Sequence, residues 1–127
     1  MTNAGSPHHR TRAYQLVYCR LLSAAQSRGL VSYAEIADIL GTLTADHDTI
    51  PDVDQVLREI SEDEHGADRP LLTALVVTGK GIPGDLLFSL ARSLGKLASV
   101  DPADEMKFWM AEEGRVYDTW KRNAATT

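Results

Sequence analysis

Val31-Ser32-Tyr33-Ala34-Glu35-Ile36-Ala37-Asp38-Ile39-Leu40-Gly41 is the stretch whose reading decides the fold. It opens with a capping box. The Ser32 hydroxyl is spaced to accept from the Glu35 amide, and the Glu35 side chain is spaced to bond back to Ser32. Ile36, Ala37, Ile39 and Leu40 then supply the apolar set of a short helix that Gly41 is placed to stop. A hydroxyl-bearing linker, 42–49, leads to Pro51, which suits a first helical turn because its missing amide hydrogen costs nothing there. Asp52 and Asp54 favour the positive end of the same helix, and Val53, Val56, Leu57 and Ile60 form its apolar stripe. The predicted helix covers 51–64 and ends before Gly66. Two short helices joined by a loop predict a helix-turn-helix-like arrangement, although the loop is longer than the usual tight turn.

Working outward, residues 11–28 read as a longer helix. Tyr14, Val17, Tyr18, Leu21, Leu22 and Ala25 line one face, and Gly29 is the natural left-handed terminator. Downstream, 71–78 is the convincing strand, apolar and bounded by Pro70 and Gly79. It is expected to pair with a short strand near Leu30 and Val31 or with a return at Gly81 and Ile82. Gly79–Gly84 is turn chemistry. Asp85 is read as the cap of a helix carrying Leu86, Leu87, Leu90, Ala91 and Leu94, which Gly95 closes. Asp101 and Pro102 are good N-cap and N1 residues for a last helix. Its expected apolar stripe is Met106, Trp109, Met110, Val116, Tyr117 and Trp120, with Glu113 in the same register.

The fold class implied is α+β and helix-dominated, with about five helices, one or two short strands and a winged-helix or helix-turn-helix-like core. One globular domain over 11–122 is expected, with disordered tails at 1–10 and 123–127. The expected core is Tyr14, Val17, Leu21, Ile36, Ile39, Leu40, Val56, Leu57, Ile60, Leu72, Ala74, Val76, Leu87, Leu90, Leu94, Trp109 and Val116.

At 127 residues the chain suits one core and is too short for a TIM barrel or a dinucleotide-binding enzyme with a second domain. No apolar run approaches the roughly 20 residues of a membrane span, and the polar N-terminus lacks a signal-peptide core. The single Cys19 excludes an internal disulfide and a multi-cysteine zinc site. A cytoplasmic protein is expected. The net charge of −5 conceals an asymmetry. Residues 1–34 hold four arginines and no acid, whereas 35–68 hold eleven acids and one base, Arg58. Such segregation marks a contact surface or complementary packing within one domain.

No motif commits the chain to chemistry, and no cofactor, metal or catalytic residue is assigned. Gly79 and Gly84 have phosphate-loop spacing, but Asp85 and Leu86 follow where Lys and Ser/Thr are needed. Asp46, His47, Asp48, Asp52 and Asp54 lack the EF-hand order and read as a solvated acidic loop. His8 and His9 have no further ligand nearby, and His65 has no second-histidine motif. Cys19 lies mid-helix, away from anything that depresses a thiol pKa.

Val31-Ser32-Tyr33-Ala34-Glu35-Ile36-Ala37 resembles the V-x-Y-G-E-I/V-A stretch of DNA alkyltransferases and alkyltransferase-like proteins. Pro70 with the following apolar run and glycine turn resembles the segment that carries their reactive cysteine. The resemblance covers about residues 30–84 and implies a winged-helix-like fold with possible DNA contact. Leu71 and Leu72 stand where the reactive Cys and His would be, so alkyl transfer is not implied. The pattern R-P-L-L-x-A-L-V-V, then G-x-P-G, F-W and V-Y-x-x-W resembles small bacterial and phage proteins.

Two functional readings follow, with a third behind them. A non-enzymatic regulatory module would bind a protein partner through Asp46, Asp48, Asp52, Asp54, Glu59 and Glu62, since an acidic surface steers a basic partner. Alternatively, a DNA-binding protein would use Arg10, Arg12, Arg20 and Arg28 for phosphate, because the helix over 51–64 is too acidic to do so. The third reading is a small enzyme with Lys80 at the Gly79–Asp85 turn.

Overall fold

Thr11 starts the first helix by accepting the Tyr14 amide on its hydroxyl at 3.2 Å. In the computed structural model, which describes residues 11–43 and 52–121, this helix is α1, Arg12–Ser27. β1 (Val31–Ser32) and α2 (Tyr33–Leu43) follow, then α3 (Val53–Gly66). A 3-10 helix, Leu72–Leu75, leads into β2 (Val76–Val77), and α4 (Asp85–Ser93) and α5 (Pro102–Trp120) complete the order. Among the described residues, five helices and a two-stranded parallel sheet make a helix-dominated α+β fold. The register pairs Val31 with Val76 and Ser32 with Val77. Pro51, Asp46, Asp48, Arg10 and both expected tails lie outside the described residues.

The core fills the space between α1, α3, α5 and the 3-10 helix. Val17, Leu21, Ile36, Leu40, Val56, Leu57, Ile60, Leu71, Leu72 and Leu75 are wholly inaccessible. Of the expected core, Ile39, Leu94 and Trp109 are only partly buried and pack against its edge. Trp109 keeps its indole N–H paired, donating to the Ala74 carbonyl at 2.9 Å.

Several expectations need correction. The strand over 71–78 is confined to Val76 and Val77, because the preceding apolar residues wind into a 3-10 turn that is buried throughout. Full burial makes the run apolar without making it extended, and periodicity does not separate the two. Gly41 does not stop α2, which continues to Leu43. The Thr42 hydroxyl bonds the Asp38 carbonyl one turn back at 2.9 Å, a pattern that only a continuing helix provides. The inward row of α5 is Phe108, Glu112, Val116 and Tyr117, while Met110 is 65% exposed. Asp85 is the first residue of α4 rather than its cap, which is Gly84.

The ends of α1, α3 and α4 follow one design. The left-handed residue after α1 is Arg28 (φ 58°), not Gly29. The Arg28 amide reaches the Ala25 carbonyl at 3.3 Å and the Gly29 amide reaches Ala24 at 2.8 Å, which is a Schellman closure. Tertiary contacts hold Arg28 there: its guanidinium lies 5.0 Å above the Tyr117 ring, whose hydroxyl donates to the Gly29 carbonyl at 2.8 Å. Asp68 (φ 66°) and Gly95 (φ 79°) end α3 and α4 in the same way.

Candidate functional site

Four chain segments meet around a cavity of about 300 Å3. Tyr33, the first residue of α2, contributes one wall, and Asp54 and Leu57 of α3 another. Val76, Val77 and Thr78 form the strand side, and Gly84–Leu87, the start of α4, closes it. Leu57 and Leu87 are buried and make an apolar floor. Asp85 is exposed at the mouth, Asp54 is half-buried, and among the described residues no lysine, arginine or histidine lines the cavity. The site lies beyond the carboxyl end of the parallel strand pair, where open parallel sheets commonly accept ligands.

The two carboxylates differ in what holds them. Asp52 caps α3 by accepting the Asp54 amide at 3.0 Å, which places Asp54 in the first turn facing α2. The Tyr33 hydroxyl then donates to Asp54 Oδ1. Tyr33 has its pKa pushed up to about 12, by burial first, then by this hydrogen bond and by the charges of Asp54 and Asp52. The phenol therefore stays a donor across the physiological range and fixes one oxygen of Asp54. Oδ2 of Asp54 and both oxygens of Asp85 make no hydrogen bond or ion pair among the described residues. Asp85 sits in the first turn of α4.

The structure sorts the remaining acids. Glu59 is 1% exposed and takes the Gln55 side-chain amide at 2.7 Å, so it lies inside rather than on a contact surface. Glu62 is exposed, two turns further along α3 than Asp54. Glu35 half-completes the expected capping box. Its amide bonds the Ser32 hydroxyl at 3.1 Å, but its carboxylate turns to Arg20 instead of back to Ser32. Asp63 accepts the Tyr14 hydroxyl at 2.6 Å, and Glu64 is clasped by Arg69 at 2.8 and 2.9 Å. Asp38, Asp52, Asp54 and Glu62 remain without a cationic partner among the described residues. Asp54 is brought together with Asp85, a residue that sequence reasoning read as a helix cap at the end of a glycine turn.

The arginines diverge. Arg12 is exposed at the start of α1, Arg20 is paired with Glu35, and Arg28 is stacked on Tyr117. Lys80 is exposed in the turn after β2 and does not line the cavity. That turn is closed by the Thr78 amide donating to the Ile82 carbonyl at 2.8 Å, and Ile82 itself is 43% exposed.

A second recess of about 170 Å3 is lined by His65, Asp68, Arg69, Pro70, Lys96 and Arg115. Its cations serve the fold. Lys96 and Arg115 converge on Glu112, which is fully buried and also accepts the Leu71 amide at 2.8 Å. Arg69 serves Glu64 and stacks 5.5 Å from the Trp120 ring. Glu112 escaped the sequence reading, yet its place between Phe108 and Val116 at four-residue spacing puts it on the inward row.

Among the described residues, no three His, Cys, Asp or Glu side chains are grouped to hold a metal ion. No described helix is long and apolar enough to cross a membrane. Comparison with protein-family models, with curated proteins and with solved structures gives no match to this chain.

Proposed function

We propose that this chain is a small cytoplasmic interaction module that receives a basic segment of a partner protein on the face where α2, α3 and α4 begin. The observation that carries the reading is the cavity. It joins an apolar floor to two carboxylates, and no cationic side chain among the described residues lines it. Asp52, the exposed cap of α3 beside Asp54, extends the negative field beyond it, which steers a cationic partner toward the mouth. The order helix, strand, helix, helix, strand over Arg12–Val77 fits a winged-helix-like core, with the helix in the reading position turned from nucleic acid to protein. Contact with DNA through Arg10, Arg12, Arg20 and Arg28 has less support, since Arg20 and Arg28 are engaged within the fold.

Fluorescence anisotropy tests the reading with three labelled probes: a lysine/arginine- and leucine-containing peptide, its glutamate analogue, and a random duplex at low and moderate salt. The expected result is binding of the basic peptide alone, weakened by Asp52→Lys. Salt-sensitive binding of the duplex, with the basic peptide unbound, would replace this reading with the DNA one.

A further inference from the structure

Resting on that reading, we propose that the cavity is a receptor for a single arginine side chain of the partner, its methylenes on the apolar floor and its guanidinium at Asp54 and Asp85. Size points this way first. About 300 Å3 is at the lower limit of ligand sites, room for one long side chain rather than the apolar face of a helix. The lining points the same way. Leu57, Val76 and Leu87 match an aliphatic stem, and long cationic side chains lay such stems on apolar surface while their heads stay at the water boundary.

The head group is set by the acceptors. Asp54 and Asp85 arrive from different helices, and each retains an oxygen without a partner among the described residues. Tyr33 holds the other oxygen of Asp54, so that carboxylate is oriented before the ligand arrives. A guanidinium presents five donors in a planar fork and serves two carboxylates at once, whereas an ammonium is a point charge that demands no such arrangement. An anion is excluded by the same two charges, and a purely apolar residue would strip water from them without return. The exposed Ile82, on the turn whose ends Thr78 and Gly84 line the cavity, offers apolar contact to the residue flanking the arginine.

Methyl-resolved NMR of the full chain tests this with four probes: n-butylguanidinium, and capped pentapeptides Gly-Leu-Xaa-Leu-Gly with arginine, lysine or norleucine at Xaa. Gly84→Leu supplies a plug. Gly84 lines the cavity and a Cβ there meets only Thr78 Cγ2, at 3.5 Å, so a leucine is accommodated at this position without straining the backbone. The expected result is saturable shifts at Leu57, Val76, Val77 and Leu87 with butylguanidinium and the arginine peptide. The lysine peptide should bind at least threefold more weakly, and norleucine should give no saturation. Combined Asp54→Asn and Asp85→Asn should weaken the arginine peptide at least tenfold, and Gly84→Leu should abolish the methyl shifts while the rest of the spectrum is retained.

If basic peptides bind equally well to Gly84→Leu and to the double variant, yet are weakened by Asp52→Lys, the arginine receptor is wrong and the acidic face stands. Binding of butylguanidinium without the arginine peptide makes the site one for a free small cation and overturns the protein-ligand assignment. If none of the four probes binds, both readings fall.

Discussion

Replacing Glu112 by alanine removes the acceptor on which three segments converge. The Leu71 amide loses its partner at 2.8 Å, Lys96 loses one at 3.1 Å, and Arg115 loses both of its bonds. An orphaned buried N–H costs about 1–3 kcal/mol. Breaking a buried ion pair costs about 3–5 kcal/mol, and the lower figure applies here because Lys96 and Arg115 keep 21% and 53% exposure and regain water. With the lower figure for the amide as well, a total of about 4 kcal/mol is expected. For a chain of 127 residues, unfolding entropy near 2.1 cal/mol/K per residue turns that into a fall in Tm of about 15 °C. Glu112→Gln keeps an acceptor for Leu71 and gives up the charge, so it should lose about half as much. Thermal and urea unfolding followed by circular dichroism read both values. A loss below about 1 kcal/mol for the alanine variant, or equal losses for the two variants, would refute the reasoning.

All four tyrosines have raised pKa values, Tyr18 and Tyr33 to about 12, with burial as the leading cause in each. The folded state therefore keeps protons that the unfolded chain releases near pH 10, so stability present below pH 10 is lost as pH rises toward 12. Absorbance at 295 nm should show no phenol ionising near pH 10 while the fold persists, and one that does would contradict the burial. Asp68→Gly should raise the unfolding free energy read from urea titration and Gly95→Ala should lower it, each by about 1 kcal/mol, because both positions have positive φ. Equal effects of the same sign would remove the conformational explanation. Glu35→Gln should change stability by less than about 0.5 kcal/mol, since Arg20 and Glu35 are 34% and 41% exposed, and a larger salt-insensitive loss would show a buried role.

Caps and stripes carried most of the architecture in legible form. Asp101 accepts the backbone amide that its reading as an N-cap promised, whereas Thr11 and Asp52, read only as residues of the helices, prove to cap α1 and α3. The central apolar run was legible as interior but not as a 3-10 turn, because residues covered on every side lose the alternation that marks a strand. The cavity was not legible. Tyr33, Asp54, Thr78 and Asp85 come from separate segments, and in sequence each has a sufficient local explanation as a cap neighbour or turn residue. Glu59 and Glu62 looked alike in the acidic run, yet one is internal and the other exposed, a distinction that only the rotation of α3 against its neighbours makes. Arg28 shows the limit of local rules most clearly: glycine stands next to it, but the partner that decides which residue turns left-handed is Tyr117.

The clasp between Tyr117 and Gly29 spans 88 residues of chain. During synthesis at about 5–20 residues per second, that separation keeps the inward face of α1 without α5 for roughly 4–18 s. Hydrophobic collapse is complete within about 100 µs, so the nascent chain spends most of that interval collapsed around an unfinished core. The vulnerable period in the life of this protein is thus its birth, and variants that loosen α5 should reduce yield from the ribosome more than they shorten the lifetime of molecules already folded.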